Sequence, residues 1–273
     1  MPESQLASAP TELGPKRSRA RFGWLLGLIL PVIVVIGWEI LATQHLINDR
    51  LMPAPSKVWV TLVKLAQSGE LIKHIIATLR RVALGFGFGV VAATVFGALT
   101  GYSHIARRLL DPSLQALRAI PSIAWVPLFI LWFGIFETSK VILIAVGVFF
   151  PIYLALSDAI PAVDRKLVEV ARVYRFSPAE MTARVLLPAT LPAYFTALRS
   201  GLGLGWMFVV AAELMGASEG LGYLLVDGQE TGNPTQIIAA IVVFAIVGKL
   251  TDWGLALLSA RLLVWQDSFK PAG

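Results

Sequence analysis

The chain has 273 residues, of which 56% are hydrophobic and 15% are charged, and its mean hydropathy is +0.73. These values lie far from those of soluble domains, so we expect an all-α, polytopic helical membrane protein. The net charge of +6 does not indicate nucleic-acid binding, because the basic residues cluster in short segments between apolar runs. With no cysteine and three scattered histidines, we expect no disulfide, no metal site and no bound cofactor.

The apolar runs divide the chain into a tail and one membrane domain. Residues 1–21 are rich in Ser, Ala, Pro and charge, which predicts a disordered cytoplasmic tail before a transmembrane domain over residues 22–267. About six spanning helices are predicted there, at Trp24–Ala42, Val82–Tyr102, Leu114–Phe136, Val141–Ile160, Pro192–Met215 and Gln236–Leu258. The third is the weakest prediction, because Pro121 and Pro127 interrupt it. Small residues at four-residue spacing predict close helix packing at Gly85/Gly89, Gly97/Gly101 and Gly201/Gly205.

The distribution of Lys and Arg predicts how these helices are oriented. Basic residues gather in the tail, in residues 107–118 and in residues 165–184, whereas residues 216–234 contain no Lys or Arg. By the positive-inside rule, we expect both termini and the 165–184 segment to be cytoplasmic. The Lys residues near Pro53–Gly69 are an exception to this rule. The pattern of that segment predicts a short amphipathic helix at the membrane surface.

A charged island, Glu169–Pro188, lies between the fourth and fifth predicted spans. The helix predicted at its start combines charged residues with an apolar stripe at helical spacing. The stripe consists of Leu167, Val170, Ala171 and Tyr174. We therefore expect an amphipathic helix that faces water.

A second short helix is predicted directly after the first. Ser177-Pro178-Ala179-Glu180 matches a capping box with proline at the first helical position. Pro188 is expected to end this helix. A helix, a turn and another helix between membrane spans form a knob that suits a groove on a cytosolic partner.

Ionisable residues inside apolar runs are costly and are functional candidates; here they are Glu39, Arg199, Glu213, Lys249 and Asp252. Lys249 and Asp252 stand three residues apart on one helix and are expected to pair. Arg199 either attracts an anionic substrate or extends to the cytoplasmic face. Glu213 either lines the translocation path or bonds to the following loop. That loop, residues 216–232, has too many glycines for a stable helix and is expected to be a gate or a flexible connection.

The island resembles the coupling motif of binding-protein-dependent ABC transporter permeases, which reads E-A-A, three residues, G, nine residues, I, one residue, L-P. The spacing fits without gaps, and the matched positions are Glu169, Ala171, Leu187 and Pro188. Val170 and Val185 replace an alanine and the isoleucine of the motif. Arg175 stands where the family has glycine. A left-handed turn costs an arginine roughly 1 kcal/mol or more, so we expect this turn to be built differently.

The resemblance extends to segments beyond the island. Residues 205–207, 211–214 and 220–224 are similar to sequences of the aliphatic sulfonate, taurine and nitrate importer branch. This likeness implies a type I ABC importer permease fold, with a core at about residues 75–265, in the bacterial cytoplasmic membrane. It also implies that the solute is a small anion.

The resemblance implies three partners besides the lipid bilayer: a second permease copy, a cytosolic ATPase dimer and an extracytoplasmic solute-binding protein. In the coupling segment, residues 163–188, contact with the ATPase is implied at Glu169, Ala171, Tyr174, Arg175, Leu187 and Pro188. The sequence has no G-x-x-x-x-G-K-[ST] phosphate loop. We therefore expect ATP hydrolysis in a separate subunit and no enzymatic activity in this chain.

A secondary transporter that works without an ATPase is the alternative function. Such a protein would carry its own coupling-ion site and inverted repeats, and the sequence shows no convincing internal repeat. A membrane enzyme would need a nucleophile, a base or metal ligands gathered near one interface. The sequence gathers no such group.

Overall fold

The fold is helical throughout the part of the chain that the structure describes. The computed structural model describes residues 23–49 and 51–265, so the predicted tail of residues 1–21 lies outside it. A 3-10 turn, Ser122–Trp125, precedes α5, and a π turn, Thr182–Leu186, joins α8 to α9. In chain order the helices are α1 (Gly23–Thr43), α2 (Pro55–Gln67), α3 (Glu70–Tyr102), α4 (His104–Ala119), α5 (Val126–Phe133), α6 (Glu137–Ala159), α7 (Arg165–Val173), α8 (Pro178–Met181), α9 (Leu187–Leu214), α10 (Leu221–Glu230) and α11 (Pro234–Leu262).

Four helical stretches in the described part of the chain are long and apolar enough to cross a membrane. They are α3, α6, α8 continued into α9, and α11, which correspond to the second, fourth, fifth and sixth predicted spans. The first predicted span coincides with α1, whose apolar stretch from Ile29 to Thr43 is shorter than these four and is not counted among them. The helical membrane fold is therefore confirmed. α3 begins at Glu70, well before the expected Val82.

The third predicted span, Leu114–Phe136, is wrong as a single helix. α4 ends just before Pro121, because a residue that precedes proline avoids the helical conformation, and Ile120 is indeed extended. α5 has 8 residues and is about 12 Å long, too short to cross a bilayer core of roughly 30 Å. It lies beside Leu143 near the start of α6. α4, the 3-10 turn and α5 together return the chain to the end of the bundle where α6 begins.

The core forms where α6 packs between α3 and α9. Ile144, Val148 and Ile152 of α6 are completely buried there. All three predicted glycine pairs face α6, or the residue that follows it, within the same chain. A Cβ atom at Gly89 would lie 2.7 Å from the carbonyl oxygen of Ala145. Glycine at this position therefore lets the backbones of α3 and α6 approach closely.

The helix predicted at Pro53–Gly69 is present as α2, and its place at the membrane surface stays a prediction. It exposes Trp59 and Val60, as a helix lying in a membrane interface does. The carboxylate of Glu39, on α1, accepts hydrogen bonds from the backbone N–H of Ser56 at 2.9 Å and from its hydroxyl at 2.8 Å. Glu39 thereby satisfies a free donor in the first turn of α2.

The segment of residues 216–232 contains a helix, α10, so the expectation of an irregular loop is wrong. Leu221 and Leu224 are buried in a cluster with residues of α11, and this packing outweighs the weak helix propensity of glycine. Gly222 serves close packing: a Cβ atom there would lie 2.5 Å from the Cβ of Glu213.

A buried ionic cluster centred on Arg81 joins α3, α6, α9 and the chain before α10. The guanidinium of Arg81, a residue that is 1% exposed, donates to both carboxylate oxygens of Glu137 at 2.7 Å. It also donates to the carboxylate of Glu213 at 2.7 Å and to the backbone carbonyl of Glu219 at 2.6 Å. One buried cation thus fixes three segments that are distant in sequence.

The same group of side chains caps α10. The carboxylate of Glu213, the hydroxyl of Thr78 and Nδ1 of His74 accept hydrogen bonds from the backbone N–H groups of residues 222, 221 and 220, at 2.7, 2.8 and 2.9 Å. Those N–H groups are the free donors that every helix start leaves. We call Arg81, Glu137, Glu213, Thr78 and His74 the Arg81 cluster.

Alanine at Gly89 and at Gly87 should change stability in opposite directions. At position 89 the Cβ meets the backbone of α6, and we expect overpacking to lower the free energy of unfolding by about 1–3 kcal/mol. A Cβ atom at Gly87 would have no atom within 4 Å apart from the neighbouring backbone of its own helix, so alanine there should raise the free energy of unfolding by up to about 1 kcal/mol. Thermal unfolding of the purified variants in detergent measures both changes. Equal changes in Tm for the two variants would contradict the close packing of α3 on α6.

Arg81→Met should destabilise the protein strongly, because it leaves the Glu213 carboxylate buried without its cation. The expected loss is about 3–5 kcal/mol. Lys73→Met, on the same helix, is the matched control: the Lys73 side chain is 65% exposed and pairs with Glu219 at 3.6 Å, an interaction worth at most about 1 kcal/mol. Thermal unfolding in one detergent compares the two variants. A similar small decrease in Tm for both would show that the Arg81 cluster does not hold the fold.

Candidate functional site

The first helix of the coupling segment, α7, leaves most of its predicted apolar stripe uncovered. Leu167, Val170 and Tyr174 are 50%, 55% and 73% exposed, and only Ala171 is buried. Val173, outside the stripe, is 80% exposed. Adjacent large apolar side chains that their own chain does not cover are typical of a surface that binds another protein.

The turn after α7 is left-handed, so the expectation of a differently built turn at Arg175 is wrong. Arg175 has φ 55°, which glycine adopts without strain. The N–H of Phe176 donates to the carbonyl of Ala171 at 3.1 Å, and the N–H of Arg175 donates to that of Arg172 at 2.9 Å. These are the two bonds of a Schellman motif. They hold an arginine in a conformation that costs roughly 1–2 kcal/mol.

The predicted capping box is confirmed at the start of α8. The hydroxyl of Ser177 accepts from the N–H of Glu180 at 3.3 Å, and the Glu180 carboxylate accepts from the N–H of Ser177 at 3.0 Å. The guanidinium of Arg184 lies 5.6 Å from the centre of the Phe176 ring, which ties the turn to the second helix.

The second helix does not end at Pro188, and that expectation is wrong. The N–H of Leu187 bonds to the carbonyl of Thr182, five residues earlier, so a π turn carries the chain without a break into α9. The wider π turn accommodates Pro188, whose ring would clash with the carbonyl of a regular α-helical turn. The coupling segment is thus directly continuous with a membrane-spanning helix.

The predicted coupling residues meet at one end of the molecule. Leu167, Tyr174, Phe176 and Pro188 line a cavity of about 440 Å³. Among the remaining predicted residues, Glu169, Arg175 and Leu187 are exposed. The surface therefore combines apolar and charged groups from both helices.

Arg199 lies in a groove between α9 and α11, away from the coupling segment. Its guanidinium donates to both carboxylate oxygens of Asp252, at 2.9 and 3.0 Å. The predicted pair of Lys249 with Asp252 is present at 3.5 Å, so Asp252 is shared and Arg199 is its closer partner. The groove, of about 600 Å³, is also lined by Trp206 and Met207.

Glu213 lies in the Arg81 cluster and does not line that groove. It bonds to the chain that follows α9, which is one of the two alternatives that the sequence left open. Arg81 is not among the residues predicted from the sequence, because the second predicted span begins at Val82. A signal was present, since His74, Thr78 and Arg81 recur at i, i+4 and i+7 on one helix face.

No group of three or more His, Cys, Asp or Glu residues that could hold a metal ion occurs within residues 23–49 and 51–265. The clustered ionisable groups are instead engaged in ion pairs.

Comparisons with known proteins agree with this geometry. A family model described as "Binding-protein-dependent transport system inner membrane component" matches residues 85–264. The chain is 42% identical over 255 residues to the putative aliphatic sulfonates transport permease protein SsuC of Bacillus subtilis, with 93% of this chain and 92% of the relative covered. It is 34% identical to the taurine transport system permease protein TauC of Escherichia coli, over 88% of this chain and 89% of the relative.

The fold is also that of a known membrane subunit. An inward-facing structure of the MetNI methionine ABC transporter aligns with a TM-score of 0.59 at 22% identity, over 72% of this chain and 96% of that chain. The fold and the sequence matches lead to one conclusion. The chain belongs to the family of binding-protein-dependent transport system inner membrane components and is the transmembrane permease of an ABC importer.

Proposed function

We propose that this permease imports a small anion, such as an alkanesulfonate, taurine or nitrate, and that a separate ATPase subunit hydrolyses the ATP. The names of the two relatives support the sulfonate and taurine choices. The groove between α9 and α11 supports an anion, because Arg199 and Lys249 there outnumber the single acid Asp252. In this proposal the chain itself performs no enzymatic step.

The observation that carries the coupling role is the uncovered apolar surface of α7, with Val170, Val173 and Tyr174 more than half exposed. We place the ATPase contact at Glu169, Tyr174, Arg175, Leu187 and Pro188, with the buried Ala171 as a packing position. Closure of the ATPase dimer would move α7, and the continuous helix through the π turn would pass that displacement to α9. Because α9 lines the groove, the movement would open and close it.

The charges in the groove support a second permease copy as a partner. Lys249 lies near the middle of α11, and its side chain is 77% exposed. A charge at such a depth faces protein or a water-filled cavity rather than lipid. A homodimer in which this groove faces the partner copy or a central aqueous path meets that requirement.

The same argument favours Arg199 over Glu213 as a residue of the translocation path. Arg199 lines an open groove, whereas the Glu213 carboxylate is enclosed by its hydrogen-bond partners. We orient the molecule in the bacterial cytoplasmic membrane with both termini and α7 on the cytoplasmic side. The face that carries the Arg81 cluster and α10 is then extracytoplasmic, where α10 is a candidate gate and the solute-binding protein docks.

Tyr174→Ala should abolish most ATP-dependent import without unfolding the chain, because the side chain is 73% exposed and has its role at the docking surface. Loss of an aromatic contact of this kind weakens association by about 2 kcal/mol or more, which is roughly thirtyfold. The assay is uptake of labelled taurine or an alkanesulfonate by proteoliposomes that contain the permease, its ATPase and its binding protein.

Trp59→Ala is the control, since Trp59 is similarly exposed, at 68%, but lies on α2. Wild-type uptake by Tyr174→Ala would refute the assigned surface. ATP-independent uptake by this chain alone would refute the importer mechanism and support a secondary transporter.

Arg175→Gly should stabilise the turn by up to about 1 kcal/mol and retain more import than Arg175→Val, because glycine has no Cβ to strain the left-handed conformation. Arg175→Val should reduce import, since a β-branched residue disfavours φ 55°. Lys166→Val is the matched control, with the same loss of charge inside a regular helical turn. Uptake and Tm are measured for all three variants. Normal import by Arg175→Val would show that coupling does not need this turn.

A further inference from the structure

A basic cavity opens beside α7, at the end of the molecule that carries the coupling segment. It measures about 470 Å³ and is lined by His104, Arg107, Arg165 and Arg172. Arg107 pairs with Asp158 at 2.9 Å. Arg165 and Arg172 are exposed, and neither forms an ion pair with the residues that the structure describes. The cavity therefore carries positive charge that no acid of this part of the chain neutralises.

An apolar cavity of about 400 Å³ adjoins the basic one, between α3, α6 and α9. The two cavities share Tyr102, Ile160 and Leu186 as walls. In the apolar cavity the hydroxyls of Thr94 and Tyr194 bond to each other at 2.6 Å. These two hydroxyls are thus already paired, and most of the remaining lining is apolar, so the cavity offers space for hydrocarbon.

The shared wall marks the level of the membrane surface. Tyr102 is the last residue of α3 and Ile160 directly follows α6, and both helices are long enough to span a bilayer. The apolar cavity extends from this level into the spans, where lipid chains lie. The basic cavity extends to the other side, where lipid headgroups lie.

The basic cavity uses a different flank of α7 from the apolar docking surface. Arg165, Val168 and Arg172 line the basic cavity, whereas Leu167 and Tyr174 line the cavity on the other flank. At 3.6 residues per turn these sets point in different directions. A ligand in the basic cavity would leave the apolar surface free.

We propose that the joined cavities bind one anionic phospholipid, with its phosphate among Arg107, Arg165 and Arg172 and an acyl chain in the apolar cavity. Both volumes are within the roughly 300–1,000 Å³ of small-molecule sites. A soluble anion would fill only the basic cavity. A zwitterionic lipid has no net charge, so it would leave the positive charge of the basic cavity uncompensated. Basic pockets between spanning helices attract anionic headgroups by charge. Because α7, α3, α6 and α9 all contribute walls, the bound lipid would hold the coupling segment against the membrane spans.

Native mass spectrometry of the full-length permease in detergent tests this proposal with phosphatidylglycerol and phosphatidylcholine as probes. The wild type should retain phosphatidylglycerol in preference to phosphatidylcholine. The double variant Arg165→Gln/Arg172→Gln should weaken retention about 25-fold, at roughly fivefold for each arginine. The matched control is Lys166→Gln/Arg108→Gln, which removes two charges that do not line the cavity and should retain the lipid as the wild type does.

A second variant separates the lipid from a soluble anion. Ala98 lines the apolar cavity, so Ala98→Trp should fill it and release phosphatidylglycerol while every arginine remains. Equal losses in the two double variants, or equal retention of both lipids by the wild type, would overturn the proposal. Undiminished retention by Ala98→Trp would also overturn it. Displacement by inorganic phosphate at millimolar concentration in that variant would then assign the basic cavity to a soluble anion.

Discussion

The structure depends on one buried cation, the guanidinium of Arg81. A charge withdrawn from water is stable only when acceptors surround it, and here Glu137, Glu213 and the carbonyl of Glu219 supply them. Each acceptor comes from a different segment, so the requirement of one side chain fixes α3, α6 and α9 relative to one another. The carboxylate of Glu213 also caps α10. The Arg81 cluster therefore also fixes the start of this helix, in a segment whose glycine content disfavours helix formation.

At the opposite end, geometry rather than charge sets the arrangement. The Schellman turn at Arg175, the capping box of Ser177 and Glu180, and the π turn before Pro188 connect α7 to α9 through an unbroken series of hydrogen-bonded turns. α9 then passes Arg199 in its groove and ends at the Arg81 cluster. In the proposed mechanism, a displacement of α7 would reach the groove of Arg199 and the Arg81 cluster through one helix. That helix shares a single apolar core with α3 and α6.

Features encoded by neighbouring residues were predictable. The capping box was found because Ser177 and Glu180 lie three residues apart, and α2 was found from its amphipathic pattern. The Arg81 cluster was missed because its members are far apart in the sequence. Thr78 and Arg81 stand 135 and 132 positions from Glu213, and they meet it only in the folded chain. Similarly, the partner of Asp252 nearest in space is Arg199, on another helix, and not the nearby Lys249.

The sequence by itself determined the membrane-spanning character, the start of the second coupling helix and the motif spacing of the island, because hydropathy and capping act over one or two helical turns. Only the tertiary structure decided that residues 221–230 are helical and that Arg199 is the closer partner of Asp252. In both cases contacts between residues distant in the sequence outweigh local preference. The sequence pattern of one segment does not reveal those contacts, because they form only when the helices pack together.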